Sequence, residues 1–526
     1  MIQESLIYKL ITRILVFFNK FGQDSVIVKG LGRCGAFLGT LFSNSAAVNF
    51  VVREGALNRS YEGSVLFKMV DGLIRLPQRI LHPIYKKAEM VFGESIFFRA
   101  LVFLLNKLHL LTGGFLFIAL VVPYKYWDNW YSTIAMIVLF FLYFLRTIVE
   151  GRTNFKTGAF NIFLVLFMIC VLLAQIFSIM PNTSLRFLVF YLTCFLMVFI
   201  MIAVIRSKDE LMQVLNMALA GLTIAGIYGV YQYIIKVPVN PTWIDTKINQ
   251  GNLTRVFSFF NNPNDFAEVI LIFVPFYCAA FFNTKNVFAR LIYLAMAVPP
   301  VLSMLMTLSR GAWVSLALAA VIYVFFKEKR LIPVFFLLGI AAVPFLPQSI
   351  LLRLRTLMNP ADSSYSTRIE IWQTIAPILK DYWLTGLGLG NETLLRVSKN
   401  YYSFIAKGSI PSHSHNLYLQ IWVEIGIFGI TSFLAFILTT VKKSIKSIVH
   451  PGDEGIKNVL IAGLASLAGL LANGMIEYVW FDRRVMLFFW AAVGIILAAL
   501  VIQAKVDTVN PKSAEEKPET SEKGVA

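Results

Sequence analysis

Charge is scarce in this chain. Only 14% of its 526 residues are charged, and acidic side chains are the scarcer kind, 29 Asp and Glu against 47 Lys and Arg. With 58% hydrophobic residues, too little polar surface exists to coat a soluble protein of this length. Histidine occurs five times and cysteine four. Cys34, Cys170, Cys194 and Cys278 are scattered with no CxxC pair, so neither a cysteine zinc site nor a disulfide framework is indicated. The short alternating segments of a membrane β-barrel are missing as well. What recurs instead is apolar runs of about 18 or more residues, each long enough to span a bilayer. The expected fold class is an all-α polytopic integral membrane protein. Its net charge of +18 is what basic cytoplasmic loops produce, so no nucleic-acid partner is expected.

Along the chain, residues 1–108 are basic and of mixed polarity, and read as cytoplasmic and interfacial amphipathic helices. The opening stretch, "MIQESLIYKLITRILVFFNK", has charges within its apolar part and no small-residue cleavage site, unlike a cleaved signal. Twelve spans are expected in residues 109–503: 109–123, 131–149, 160–180, 185–205, 210–235, 265–282, 288–307, 311–326, 331–347, 416–440, 457–476 and 485–503. Two connections are long, 236–264 and 348–415, the larger lying between the ninth and tenth spans. Residues 504–526, charged and Pro-containing, are expected to be a disordered cytoplasmic tail.

Lys and Arg counts in the short loops set the orientation. Loops 146–158, 206–209, 283–290, 327–330 and 441–456 are rich in them, whereas "YKYWDNW", "PNTSLR", "LSRG" and "EYVWFDRR" carry one or two each. The first set is cytoplasmic on this reading, with both termini. Both long loops, and Arg255, Arg310, Arg368, Arg483 and Arg484, then face outward. Arginines on a side that normally avoids positive charge suggest a use, such as holding an anion.

The stretch "IPSHSHNLYLQIWVEIG", 410–426, carries two of the five histidines at the mouth of the tenth span. HxH can chelate a metal, but no third ligand is evident nearby, so no metal is expected. Ser414 and Asn416 can cap the helix. A helix N-terminus and neighbouring arginines disfavour imidazolium, which would leave His415 able to accept a proton from a hydroxyl. Asn416, Gln420 and Glu424 share one helix face, with Glu424 about 12 Å below Asn416. Nine positions separate His415 from Glu424, about half a turn out of phase, so a direct dyad is not expected and Glu424 reads as bundle support. In "TRVFSFFNNPNDFAE", Pro263 starts the sixth span with Asn264 as its cap. In "TLSRGAW" the turn is so tight that Arg310 must sit at the membrane boundary, where a guanidinium pairs well with phosphate oxygens. "SYSTRIEIWQTIAPILKD" is expected to form an amphipathic helix with Ile369, Trp372 and Ile375 on one side. "GLGLGN" lacks the strand–turn–helix context of a phosphate cradle and reads as a flexible turn.

"RVFSFFNNPNDFAE", "LSRGAW", "STRIEIWQTIAPILKDYWLTGLGLGN" and "SHSHNLYLQIWVEIGIFG", in this order and in this frame, resemble the O-antigen ligase and polymerase superfamily of bacterial surface-glycan enzymes. The resemblance covers roughly residues 185–500. It implies a metal-independent, cofactor-free, inverting glycosyltransferase of the bacterial plasma membrane, taking a glycan from undecaprenyl diphosphate to an acceptor hydroxyl at the outer face. By motif match His415 is implied as catalytic, with Arg255 and Arg310 as diphosphate-binding groups; His413, Asn416, Glu424, Arg368 and Arg484 are supporting candidates. Ligase, polymerase and protein O-oligosaccharyltransferase remain open, as does a polysaccharide flippase. The acceptor is a glycan, a lipid or a protein, and the N-terminal extension offers a surface to other glycan-assembly proteins.

Overall fold

The computed structural model describes residues 56–238, 240, 254–328, 363–401 and 410–509, with 332, 337, 339–341, 343–345, 350 and 351 between them. Its described residues form helices and no strand. The first four are α1 (Ala56–Glu62), α2 (Val65–Phe92), α3 (Ile96–Asn106) and α4 (Leu108–Val121). After a tight turn come α5 (Asn129–Glu150), α6 (Ile162–Ile176), α7 (Pro181–Val204) and α8 (Lys208–Ile234). Beyond residue 254 are α9 (Pro263–Asn283), α10 (Val287–Met306) and α11 (Arg310–Glu328). The described part of the longest loop holds α12 (Ser363–Tyr382) and α13 (Asn391–Tyr401), followed by α14 (Leu417–Val449), α15 (Glu454–Asn473) and α16 (Arg483–Val509).

Nine of these helices are long and apolar enough to cross a membrane; a tenth span results if α3 and α4, bent by 66°, count as one. The protein is therefore a multi-pass helical membrane protein. Of the other expected spans, 160–180 is the 15-residue α6, and 331–347 lies largely outside the described residues.

Local chemistry explains the boundaries. Asp128, Asn161, Ser207 and Asp453 each accept a backbone N–H in the first turn of α5, α6, α8 and α15, satisfying donors that have no partner inside the helix. At α9 the cap is Asn262, whose Oδ1 accepts from the N–H groups of Asn264 and Asp265, with Pro263 at the first helical position. This corrects the expectation that Asn264 caps the helix and frees its side chain for another contact.

The centre of the bundle is α16, almost wholly buried against α7 and α15; α9 packs on α15 and α10. Peripheral α10 and α11 leave most of their apolar surface outward, as lipid-facing helices do. One end gathers the basic loops, joined by Arg206–Glu150 (2.7 Å), Arg146–Glu150 (3.1 Å) and Lys208–Asp453 (3.0 Å). At that end α2 lies against α5, through His82 Nδ1–Ile148 O (2.6 Å), and accepts from the connection after α5 through Thr157 Oγ1–Asp71 Oδ1 (2.8 Å). Leu66, Met69, Leu73, Leu76, Ile80 and Ile84 form an exposed stripe along α2, the pattern of a helix lying in a membrane interface. The other end gathers the turns before α5, α7, α9, α11, α14 and α16, and the candidate site.

Candidate functional site

The frame of the site is a break in α14. Gly426 has φ +80° and interrupts the helix, so the carbonyls of Val423 and Glu424 lose their intrahelical donors. The "GLGLG" segment replaces them. Leu387 N–H donates to Val423 O (2.7 Å), Gly388 N–H to Glu424 O (3.1 Å), and Ile427 N–H donates to Trp383 O (2.9 Å). Gly386, Gly388 and Gly390 all have positive φ, and a Cβ on Gly388 would collide with Ser178. Leu387 and Leu389 are buried. The segment is thus a packed, hydrogen-bonded strap, which corrects the flexible-turn reading. Ile375, Ile378, Leu387, Leu394 and Val423 form a small core that holds α12 and α13 on α14. The buried face of α12 is Ile371, Ile375 and Ile378. Ile369 is only half-buried, and Trp372 donates to Ser414 O (2.9 Å).

Above this frame, residues 412–416 are fixed from all sides. Asn416 is the cap of α14, accepting from Tyr418 N–H (2.9 Å) and Leu419 N–H (3.0 Å), and donates to Met475 O (2.8 Å). Ser414 N–H donates to Gln420 Oε1 (2.8 Å). His415 has φ +48°, a strained conformation for a non-glycine residue. Its Nδ1 lies 2.7 Å from Glu477 Oε1. Glu477 belongs to the turn between α15 and α16, where its other oxygen accepts from Arg368 Nη2 (3.3 Å) and Asn264 Nδ2 (3.3 Å). Asn264 Oδ1 in turn accepts from Arg255 Nη2 (3.1 Å), and Arg255 Nε donates to Thr307 O (2.8 Å). Leu308, with φ +54°, turns the chain into α11 at Arg310. Gly311 lies against Asn473 and Ile476, which brings the start of α11 beside the turn that carries Glu477.

One network therefore joins His415, Glu477, Arg368, Asn264 and Arg255, with Arg310 at the adjoining turn. Glu477 and the linking role of Asn264 were missed in the sequence. The available signal was a carboxylate in "EYVWFDRR", a short apolar turn at the end that holds His415. Burial by itself would raise the Glu477 carboxyl. The hydrogen bond with His415 and the Arg368 guanidinium outweigh it and hold the group down at about 2. As an anion Glu477 only accepts, so His415 Nδ1 donates to it, and Nε2 is the ring nitrogen left to act as a base.

His413 packs at a tilt against His415, ring centroids 4.0 Å apart, and against Phe481 at 4.6 Å. Burial, then the neighbouring His415, pull its pKa down to about 4. The donor atoms of His413, His415 and Glu477 lie within 4.8 Å of one another, so the structure supplies the third potential ligand that the sequence did not reveal. Arg368 stands on the same carboxylate, however, and a guanidinium there suits an anion better than a metal cation.

The remaining candidates lie apart from this network. Glu424 is buried below it, accepting from Gln420 Nε2 (2.8 Å) and Tyr478 OH (3.5 Å). Arg484 is buried too, donating to Val122 O (2.8 Å) and Phe259 O (2.9 Å) with its guanidinium 4.6 Å from the Phe260 ring. It ties three loops together.

A search of curated proteins found no match. Residues 295–434, which carry Arg310, Arg368, His413 and His415, match a family model described as O-antigen ligase. On the segment that builds the His415 turn, this multi-pass membrane protein is thus similar to the O-antigen ligases.

Proposed function

We propose that the protein transfers or polymerises a glycan from an undecaprenyl-diphosphate donor onto an acceptor hydroxyl at the outer face of the plasma membrane. The observation that carries this reading is the Glu477-centred network, which couples a carboxylate-held imidazole to Arg255 and Arg368 at one end of the bundle. That end has the fewer Lys and Arg in its short loops, which supports its facing outward.

On this reading each group has a defined role. His415 Nε2 takes the proton of the acceptor hydroxyl as its oxygen bonds to the anomeric carbon. The bond from that carbon to the diphosphate oxygen breaks, and its electron pair leaves with the diphosphate. Arg255 and Arg310 stabilise the charge that gathers there, and Glu477 stabilises the imidazolium formed at His415. A single displacement inverts the anomeric configuration. Protein, lipid and glycan acceptors all present a hydroxyl, and this chemistry serves each of them.

The test is transfer in vitro by the full chain in lipid nanodiscs, supplied with a polyprenyl-diphosphate glycan and an acceptor. His415→Ala and Arg310→Ala, correctly inserted, are expected to lose transfer while still folding. Full activity in both would end the proposal.

A further inference from the structure

A cavity of about 380 Å³ opens among the N-terminal parts of α5, α7, α9 and α16. Trp127, Asn129, Arg186, Asn261, Asp265 and Glu392 are among its walls, while His415, Glu477, Arg255, Arg310 and Arg368 are not. We propose that this cavity is a saccharide subsite, holding one pyranose of the glycan next to the His415 centre. The choice of a sugar as ligand rests on the transferase reading; the existence of a ligand site does not.

Three buried polar atoms on its walls lack a hydrogen-bond partner. Asp265 is 4% exposed and its Oδ2 accepts nothing; Arg484 is 1% exposed and its Nε donates to nothing; Trp127 Nε1 is in the same condition. Polar groups buried in this way are ordinarily satisfied, because leaving them bare forfeits their hydration without return. An acceptor carboxylate, an indole N–H and a guanidinium N–H on the walls of one cavity suit a ligand that both donates and accepts, as sugar hydroxyls do. Four carboxylates and three guanidiniums line the cavity. That near balance favours neither a diphosphate nor a metal cation, and suits a hydroxyl-rich ligand of little net charge. Trp127 and Trp130 add flat apolar faces of the kind a pyranose ring packs against. The volume lies in the usual range for small-ligand pockets, about 300–1,000 Å³.

The cavity and the His415 centre share walls. On the first turn of α9, Asn264 bonds Glu477 while Asp265 lines the cavity. Phe481 lines the cavity as well and packs on His413 at 4.6 Å. A glycan reacting at His415 thus has its neighbouring sugar within reach of this second site.

Saturation-transfer NMR tests the assignment on the full chain in nanodiscs. The probes are the methyl glycosides of glucose, N-acetylglucosamine and glucuronic acid. We expect saturable binding of at least one, weakened about five-fold or more, as loss of one hydrogen bond implies, in both Asp265→Asn and Trp127→Phe. The same binding should persist in His415→Ala. No binding of any probe by the unaltered chain would overturn the proposal, as would binding that neither wall variant weakens or that His415→Ala removes. Transfer activity surviving His415→Ala would sink the transferase reading alone, since the binding measurement does not depend on turnover.

Discussion

Glu477 Oε1 stands 2.7 Å from His415 Nδ1 across 62 positions of sequence, and the same carboxylate is held from its other side by Arg368 and Asn264. An imidazole so placed has one nitrogen committed to a fixed anion and one available to a substrate. The first prediction concerns this pair. Glu477→Gln keeps the size of the side chain but removes the charge that stabilises imidazolium. The transfer rate should fall by about 10²-fold or more, with the KM for the acceptor changed far less. A variant with an unaltered rate would show that Glu477 is only scaffolding.

A second prediction follows from His413. Its pKa is lowered in the folded protein, from an ordinary 6.5 to about 4. The unfolded chain therefore binds more protons than the folded one between these values, and stability falls as pH drops through that window. Thermal midpoints in detergent should decline from about pH 6.5 towards pH 4, and His413→Phe should flatten the decline. Glu477 acts lower: its contribution is present above about 4.5 and is lost as pH falls through about 2. A steep decline in the upper window that survives His413→Phe would assign it to another group.

Arg255 offers a third. Its guanidinium bonds in two directions, to Thr307 O and to Asn264 Oδ1, so charge is not its whole contribution. Arg255→Lys retains the charge but lacks the planar fork. The donor KM should rise roughly ten-fold or more, the worth of one charge-assisted hydrogen bond. Wild-type donor kinetics in the lysine variant would remove Arg255 from the donor site.

The strap under the site makes a fourth. Gly388 has φ +100° and no room for a Cβ beside Ser178. Gly388→Ala should destabilise the protein by about 1–3 kcal/mol from backbone strain alone, read as a lower thermal midpoint and reduced folded yield. Ser178→Gly should relieve only the side-chain part of the crowding, since the Ser178 Cα stays 2.7 Å from the added Cβ, and leave the part due to φ. An unshifted midpoint in the single variant would contradict the strap geometry.

The fifth concerns the His413, His415 and Glu477 donors. With Arg368 on the carboxylate, transfer should not need a bound cation. Exhaustive chelation, checked by elemental analysis, should leave the rate unchanged. Restoration of a lost rate by one particular divalent metal would reverse this reading and make the triad its site.

Much of the fold was legible in sequence because hydropathy is a one-dimensional signal: nine apolar runs among the described residues mark helices long enough to cross a membrane wherever they pack. Parity of the spans also brought His415, Arg255 and Arg310 to one end, since each crossing reverses the side. The cap of α9 was misassigned by two residues because Asn262 and Asn264 both flank Pro263 and carry the same amide; only the backbone N–H groups of the first turn distinguish them. "GLGLG" showed its glycines but not their purpose, which exists only beside the break at Gly426.

By itself, then, the sequence determined a helical membrane protein and which polar groups share an end. Parity cannot say where around the bundle a side chain sits. That angle comes from helix packing, and it decided that Glu477 meets His415, whereas helical phasing alone had set Glu424 apart. Packing also turned Arg484 into a tie between loops and left Asp265 beside a cavity. These are contacts between segments far apart in the chain, set by which surfaces fit together, and no local pattern encodes them.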